Sequence, residues 1–288
     1  MSVKKVLQRT GTILVSIILL VVLTIYVWSS VVLNKKYNVP LTDMPVPTDS
    51  ASVAEGARLT RIAHCGDCHN ENLTGKVFAE IPPSLATLVA PNLTKVIPSY
   101  SNAELIRLLR YGVKKDGHTL YIMPSYMYHE LKEESLAKII AHLRTLKPQP
   151  DAPGLPNKSS YALLGRFLIT QNKVPAVADL IQPNSKGRYV DCDTTPVSFG
   201  RYLAASSCSA CHGRELKGEP NLGPDLIIAA SYSREDFFKL IRTGVALGNR
   251  KLGLMSEVTK DYLSYMNDKE IESIYEYLQT KPTLAKAK

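Results

Sequence analysis

Cys65-Gly66-Asp67-Cys68-His69 and Cys208-Ser209-Ala210-Cys211-His212 decide the reading of this 288-residue chain. Both are C-x-x-C-H, the pattern that attaches c-type haem. Two thiols three positions apart on one helical turn can both reach the vinyl groups of a porphyrin, and the adjacent imidazole points at the iron. With five cysteines and six histidines in the chain, chance supplies roughly 0.002 such motifs. A redox dithiol also reads C-x-x-C, but has no need of a histidine beside each pair. A zinc site would need the four thiols together, whereas 143 positions separate Cys65 from Cys208. The pattern implies two covalently bound haem c groups, one on Cys65 and Cys68, the other on Cys208 and Cys211. His69 and His212 are then axial iron ligands.

Outward from the motifs the sequence repeats. Tyr100-Ser-Asn-Ala-Glu-Leu-Ile-Arg-Leu-Leu-Arg110 matches Tyr232-Ser-Arg-Glu-Asp-Phe-Phe-Lys-Leu-Ile-Arg242, and Gly112-Val113 and Met123 then fall on Gly244-Val245 and Met255. Leu131, Leu136, Ile139, Leu143 and Thr145 fall on Met266, Ile271, Ile274, Leu278 and Thr280 after a three-residue insertion in the second copy. Upstream, Gly56 and Gly200 precede the motifs, and Ala90-Pro91-Asn92-Leu93 corresponds to Gly223-Pro224-Asp225-Leu226. Leu105, Leu108 and Leu109 form one helical stripe, and Leu136, Ile139, Ile140 and Leu143 another. Ser101 with Glu104, and Ser233 with Asp236, resemble capping boxes. No segment alternates as a sheet would. Each copy is expected to be a motif-bearing helix, a loop, a middle helix, a ligand loop and a final helix, so the fold class is all-α.

The apolar run Thr12–Leu33 spans roughly 33 Å as a helix, enough to cross a bilayer core. It is longer than the 7–15 residues usual in a signal peptide's apolar core. Only Ser29-Ser30 offers a weak cleavage site, so an uncleaved anchor is expected over 1–36. Lys4, Lys5 and Arg9 precede the run and Lys35 and Lys36 follow it, a slight bias for the C-terminal part outside. Tyr26 and Trp28 suit its outer interface. These five cations belong to a formal net charge of +9. The rest of the chain keeps +4 with no basic cluster, a poor match to nucleic acid. No second apolar run follows, which argues against a transporter or channel.

Both copies resemble class I cytochrome c domains, over about residues 50–148 and 195–282. The whole is similar to membrane-anchored di-haem cytochromes, including the cytochrome subunits of bacterial periplasmic dehydrogenases. That resemblance implies a final helix packed across the first, with His142 or Tyr277 at the crossing. It also implies that Pro91 and Pro224 accept the ring N–H of the ligating histidines, a contact that fixes ring orientation. Asn70 departs from the pattern, since Gly213 stands at that place in the second copy. Residues 37–49 are expected to be a linker, and 149–194 a connector with a short amphipathic helix near Tyr161–Gln171, carrying Leu163, Leu164, Phe167 and Leu168. Its simplest role is packing between the domains. Residues 283–288 are expected to be a polar tail, and Cys192 a free buried thiol.

The sixth iron ligand decides the chemistry. Met123, Met127, His118 and His129 are candidates in the first copy. Met123 is followed by Pro124 and repeats as Met255 at the same distance from Arg110 and Arg242. Met127 and His129 have no counterpart at that spacing, and Arg250 replaces His118. In the second copy Met266 rivals Met255 but aligns with Leu131 at a core position. Two His/Met irons would leave no open site, so the expected protein is an electron carrier and no enzyme. It would pass single electrons between a dehydrogenase or quinol-oxidising complex and a terminal oxidase, in a respiratory chain on the outer, periplasmic face of a bacterial inner membrane. A di-haem peroxidase with one open haem is the alternative. The repeat's symmetry speaks against it.

Overall fold

The computed structural model describes residues 3–78, 81–181, 195–220 and 222–286. Cys192 lies outside the described residues. Helix α1 (Val3–Leu33) is long and apolar enough to cross a membrane. The first repeat contains α2 (Ser50–Ile62), α3 (Cys65–His69), α4 (Leu93–Val96), α5 (Asn102–Tyr111), α6 (Ser125–His129) and α7 (Glu133–Arg144). The connector holds α8 (Leu163–Thr170), and the second repeat α9 (Pro196–Ser207), α10 (Ser209–His212), α11 (Arg234–Thr243), α12 (Leu254–Asp261) and α13 (Asp268–Lys286). Thus α13 continues through Lys286, into the stretch expected to be a tail.

The described strands are minimal, so the fold is all-α as expected. In the first half β1 (Lys76–Val77) and β2 (Ala86–Thr87) pair antiparallel with β3 (Val89–Ala90) and β4 (Ser160–Tyr161), respectively. In the second, β5 (Lys217–Glu219) pairs with β6 (Gly223–Asp225), and β7 (Val245–Ala246) with β8 (Arg250–Lys251).

Both middle helices start as the repeat predicts. Ser101 and Glu104 form a full capping box on α5, while on α11 Ser233 accepts from the Asp236 backbone. Gly112 and Gly244 end them at φ 66° and 73°, where a residue with Cβ would be strained. Each final helix crosses each first helix at a glycine. A Cβ on Gly56 would sit 1.9 Å from Lys138 O and 3.0 Å from the His142 Cβ, and one on Gly200 would sit 1.7 Å from Ser273 O. Around the crossings lie two separate cores, one with Leu105, Leu136 and Ile140, the other with Phe237, Ile271 and Leu278.

The connector differs from expectation. Helix α8 does not lie between the domains but packs on the outer end of α1, where Arg166 Nη1 donates to Ser29 Oγ at 2.9 Å. The linker region is likewise tied down at its start: Lys35 and Tyr37 both reach the Asp179 carboxylate, at 3.0 and 2.8 Å. The polar Ser29–Ser30 pair, in the sequence a weak cleavage signal, supplies the acceptors for Arg166.

Candidate functional site

The two C-x-x-C-H segments form short helices turned to the same design. His69 Nδ1 lies 2.8 Å from Pro91 O, and His212 Nδ1 lies 2.7 Å from Pro224 O. Each ring N–H is thereby spent on a carbonyl, which leaves Nε2 as the unprotonated, electron-donating nitrogen. Burial lowers the pKa of both rings, which favours the neutral form an iron requires. At Gly223 a Cβ would meet Cys211 O at 2.8 Å and the His212 ring at 3.0 Å, so the chain passes flush against the imidazole.

The backbone after each histidine follows one path. Asn70 and Gly213 share φ 70° and 74° with ψ 156° in both, Leu73 and Leu216 sit at φ 57° and 56°, and Gly75 and Gly218 at 95° and 93°. Asn70 therefore does not alter the turn. It occupies a region nearly reserved for glycine, at a cost of about 1–3 kcal/mol, and its Oδ1 takes the Glu71 N–H at 2.8 Å.

No disulfide joins Cys65, Cys68, Cys208 or Cys211 to one another. Burial pushes the thiols of Cys65 and Cys208 up to about 12, the reverse of the depressed value that makes a C-x-x-C pair a dithiol reagent. Among the described residues no three His, Cys, Asp or Glu side chains converge on a place for a bare metal ion. Paired thiols beside a histidine with a prepared Nε2 fit a porphyrin that brings its own iron.

Of the distal candidates, His118 Nδ1 faces the Asp116 carboxylate at 3.1 Å and its backbone bridges to Lys36, toward the α1 end of the molecule. The His129 ring is buried, with Nδ1 3.2 Å from Arg110 O and its edge against Tyr111. Met127 is enclosed within α6, and Met266 is buried in the second core. Met123 and Met255 are different: each is only partly covered and packs at the edge of its core.

Several contributors carry no signature of their role in the motifs. Arg110 Nη1 reaches His129 O at 3.3 Å, and its repeat partner Arg242 reaches Ser264 O and Met266 O, both at 2.6 Å. Both arginines thus tie the middle helix to the segment that follows the methionine; the exact repeat of Arg110 as Arg242 was the available signal. Tyr128 left no such signal, since Leu263 takes its place in the second copy. Its buried hydroxyl donates to Ala63 O at 3.0 Å, just before the first motif. Tyr128→Phe should destabilise the first domain by about 1–2 kcal/mol, read as a lower denaturation midpoint. An unmoved midpoint would mean Ala63 O finds water instead.

The two centres meet at their leading edges. His64, immediately before Cys65, places Nε2 3.1 Å from the carbonyl of Ser207, immediately before Cys208. The His64 ring also stands edge-on to Tyr262 with centroids 5.1 Å apart. Alongside, Arg58 forks onto both oxygens of buried Glu270 at 2.8 and 2.9 Å, holds Glu55, and donates to Tyr265 O. Tyr202 Oη accepts from the Lys132 backbone at 3.4 Å. Repeat and motif gave no hint of this seam, which joins unlike residues of the two copies.

Comparison with known proteins agrees with this geometry. Residues 53–147 match the cytochrome c family, and residues 196–278 match the family described as cytochrome c oxidase, cbb3-type, subunit III. The chain is 26% identical over 279 residues to the fructose dehydrogenase cytochrome subunit of Gluconobacter japonicus, covering 86% of this chain and 56% of that one. It is 26% identical over 275 residues to the alcohol dehydrogenase (quinone) cytochrome c subunit of Gluconacetobacter polyoxogenes, covering 81% and 57%. The gluconate 2-dehydrogenase cytochrome c subunit of Pantoea cypripedii is 24% identical over 274 residues, covering 81% and 60%. The matches thus span less than two thirds of the relatives' own lengths.

Proposed function

Because this chain carries two cytochrome c domains, we propose that it is the electron-relay subunit of a membrane-bound dehydrogenase, holding two haem c groups. Cys65, Cys68, Cys208 and Cys211 would bind them covalently, His69, His212, Met123 and Met255 would ligate the irons, and Pro91 and Pro224 orient the histidines. When bound, each haem would supply a one-electron couple. The chain's own part is to hold the imidazoles neutral and aligned, to exclude water with the two cores, and to fix the centres against each other. Helix α1 anchors the chain in a bacterial inner membrane with the two domains on the periplasmic face. Electrons arrive from the dehydrogenase and leave to the respiratory chain, through a quinone-linked complex or terminal oxidase.

The observation that carries this reading is the contact of His64 with Ser207, which brings the N-terminal ends of the two attachment helices together. A relay needs such closeness between its stations; two independent binding modules would not. The test uses the full-length chain. Its mass should show two covalently added porphyrins, with one left in Cys208→Ser/Cys211→Ser. Rapid oxidation should drain both haems with one shared time course. Arg58→Met should strip the partner from buried Glu270, cost about 2 kcal/mol, and split that course in two while leaving the absorption bands in place. Haems that equilibrate no faster than separate molecules would end the relay reading. Turnover of hydrogen peroxide would favour a peroxidase.

A further inference from the structure

We infer that α8 is a second membrane contact, a short helix laid in the outer leaflet that sets the height of the first haem domain above the bilayer. The inference rests on α1 being the membrane anchor. Two faces of α8 are already used. Gly165 and Ile169 are buried, and a Cβ on Gly165 would lie 2.1 Å from Leu85 O, so one face is closed against the first domain. Arg166 turns to α1, donating to Ser29 Oγ at 2.9 Å and stacking its guanidinium 4.7 Å from the Tyr26 ring. The remaining face carries Leu163, Leu164 and Phe167, with 38%, 50% and 42% of their surface exposed. Three large apolar side chains in five positions form a patch that water penalises.

The position of that patch says what covers it. Ser29 and Tyr26 lie four and seven residues inside Leu33, the last apolar residue of α1. At the helical rise, that puts α8 about 6–10 Å below the end of the span, the depth at which interfacial helices rest. The attachment does not slide. Tyr121 Oη donates to Val32 O at 3.2 Å, Lys36 bridges to His118, and Asp179 binds both Lys35 and Tyr37. If α1 spans the bilayer, the outward face of α8 is already among lipids.

Charge agrees. Between Asp151 and Asp179 the chain has no acidic residue, while Lys158, Arg166 and Lys173 are cationic. Lys158 and Lys173 are exposed on either side of α8. Such flanks suit anionic headgroups at a charged leaflet. A lipid surface of mixed zwitterionic and anionic composition is therefore the occupant.

The experiment reconstitutes the full-length chain in phosphatidylcholine–phosphatidylglycerol vesicles containing a phospholipid with a diazirine in its acyl chain. After illumination, labelled peptides are counted by mass spectrometry. Peptides of α8 should label within about threefold of those of α1, and about tenfold above those of α11 in the second domain. Leu164→Asp/Phe167→Asp should cut α8 labelling about tenfold while α1 labelling and the haem spectrum stay unchanged. Background labelling of α8 beside a labelled α1 would overturn the inference and leave the anchor standing. An unlabelled α1 would overturn the anchor as well. Labelling of α8 that ignores the two aspartates would show incidental contact and overturn the docking, as would a crosslink from this face to another protein.

Discussion

Gly200→Ala should strongly destabilise the second cytochrome c domain, and Gly56→Ala should do the same to the first. The added carbon on Gly200 would meet Ser273 O at 1.7 Å, Ser273 C at 2.3 Å and Ile274 N at 2.9 Å. All three are backbone atoms, so no side chain can swing aside and the two helices must part. Parting them opens the core around Ile271, Ile274 and Leu278, none more than 3% exposed. Overpacking alone costs about 1–3 kcal/mol; with that core opened as well, at least about 3 kcal/mol is expected, against a domain stability of about 5–15 kcal/mol. Gly66→Ala is the control, because its nearest neighbour would be Glu71 Cα at 3.6 Å. Denaturation midpoints and haem attached to each motif are the readouts. A Gly200→Ala protein with unchanged midpoint and full attachment would refute the crossing geometry.

Met123→Ala and Met255→Ala should each lower the reduction potential of one haem by roughly 0.1 V or more, within the range of about 0.8 V that axial ligands command. These two sulfurs are the accessible ones. His118 lies beside Lys36 toward the α1 end of the molecule, and the His129 ring is buried with its edge against Tyr111. Met127 and Met266 are closed in by protein, whereas Met123 and Met255 leave part of their surface uncovered at the margin of each core. A thioether donates softly and favours the reduced iron, so its loss favours the oxidised one. Spectra of each variant should turn partly high-spin at one haem only. Met127→Leu should leave both potentials alone. A potential that moves with Met127 and ignores Met123 would reassign the ligand.

Much of this was legible because it is local or repeated. Two five-residue motifs pointed to the chemistry and periodic leucines to the helices, while the crossing came only with the resemblance; that Gly56 and Gly200 stand at it is a finding of the structure, since a helix can approach that closely only where a side chain is missing. Asn70 looked like a departure and was not: its backbone takes the glycine path, and the side chain offsets part of the strain through Glu71. What stayed hidden depends on contacts between distant segments. Arg58 and Glu270 are 212 positions apart, and nothing in either neighbourhood announces the other. Helix α8 was visible as an amphipathic stretch, but amphipathicity says that a face is covered, never by what. Ser29-Ser30 stands out in the sequence for its small size; its hydroxyls matter in the fold through Arg166.

The fastening of α1 to the first domain bears on how electrons can be delivered. A free leash of thirteen residues, 37–49, would let a redox centre wander roughly 20 Å from its post. Lys35, Tyr37, Tyr121 and Arg166 remove that freedom at its root. With α1 in a bilayer as proposed, the chain would be a fixed jetty, not a buoy: a donor or acceptor would have to come alongside at one level, and any vessel riding too high would miss it.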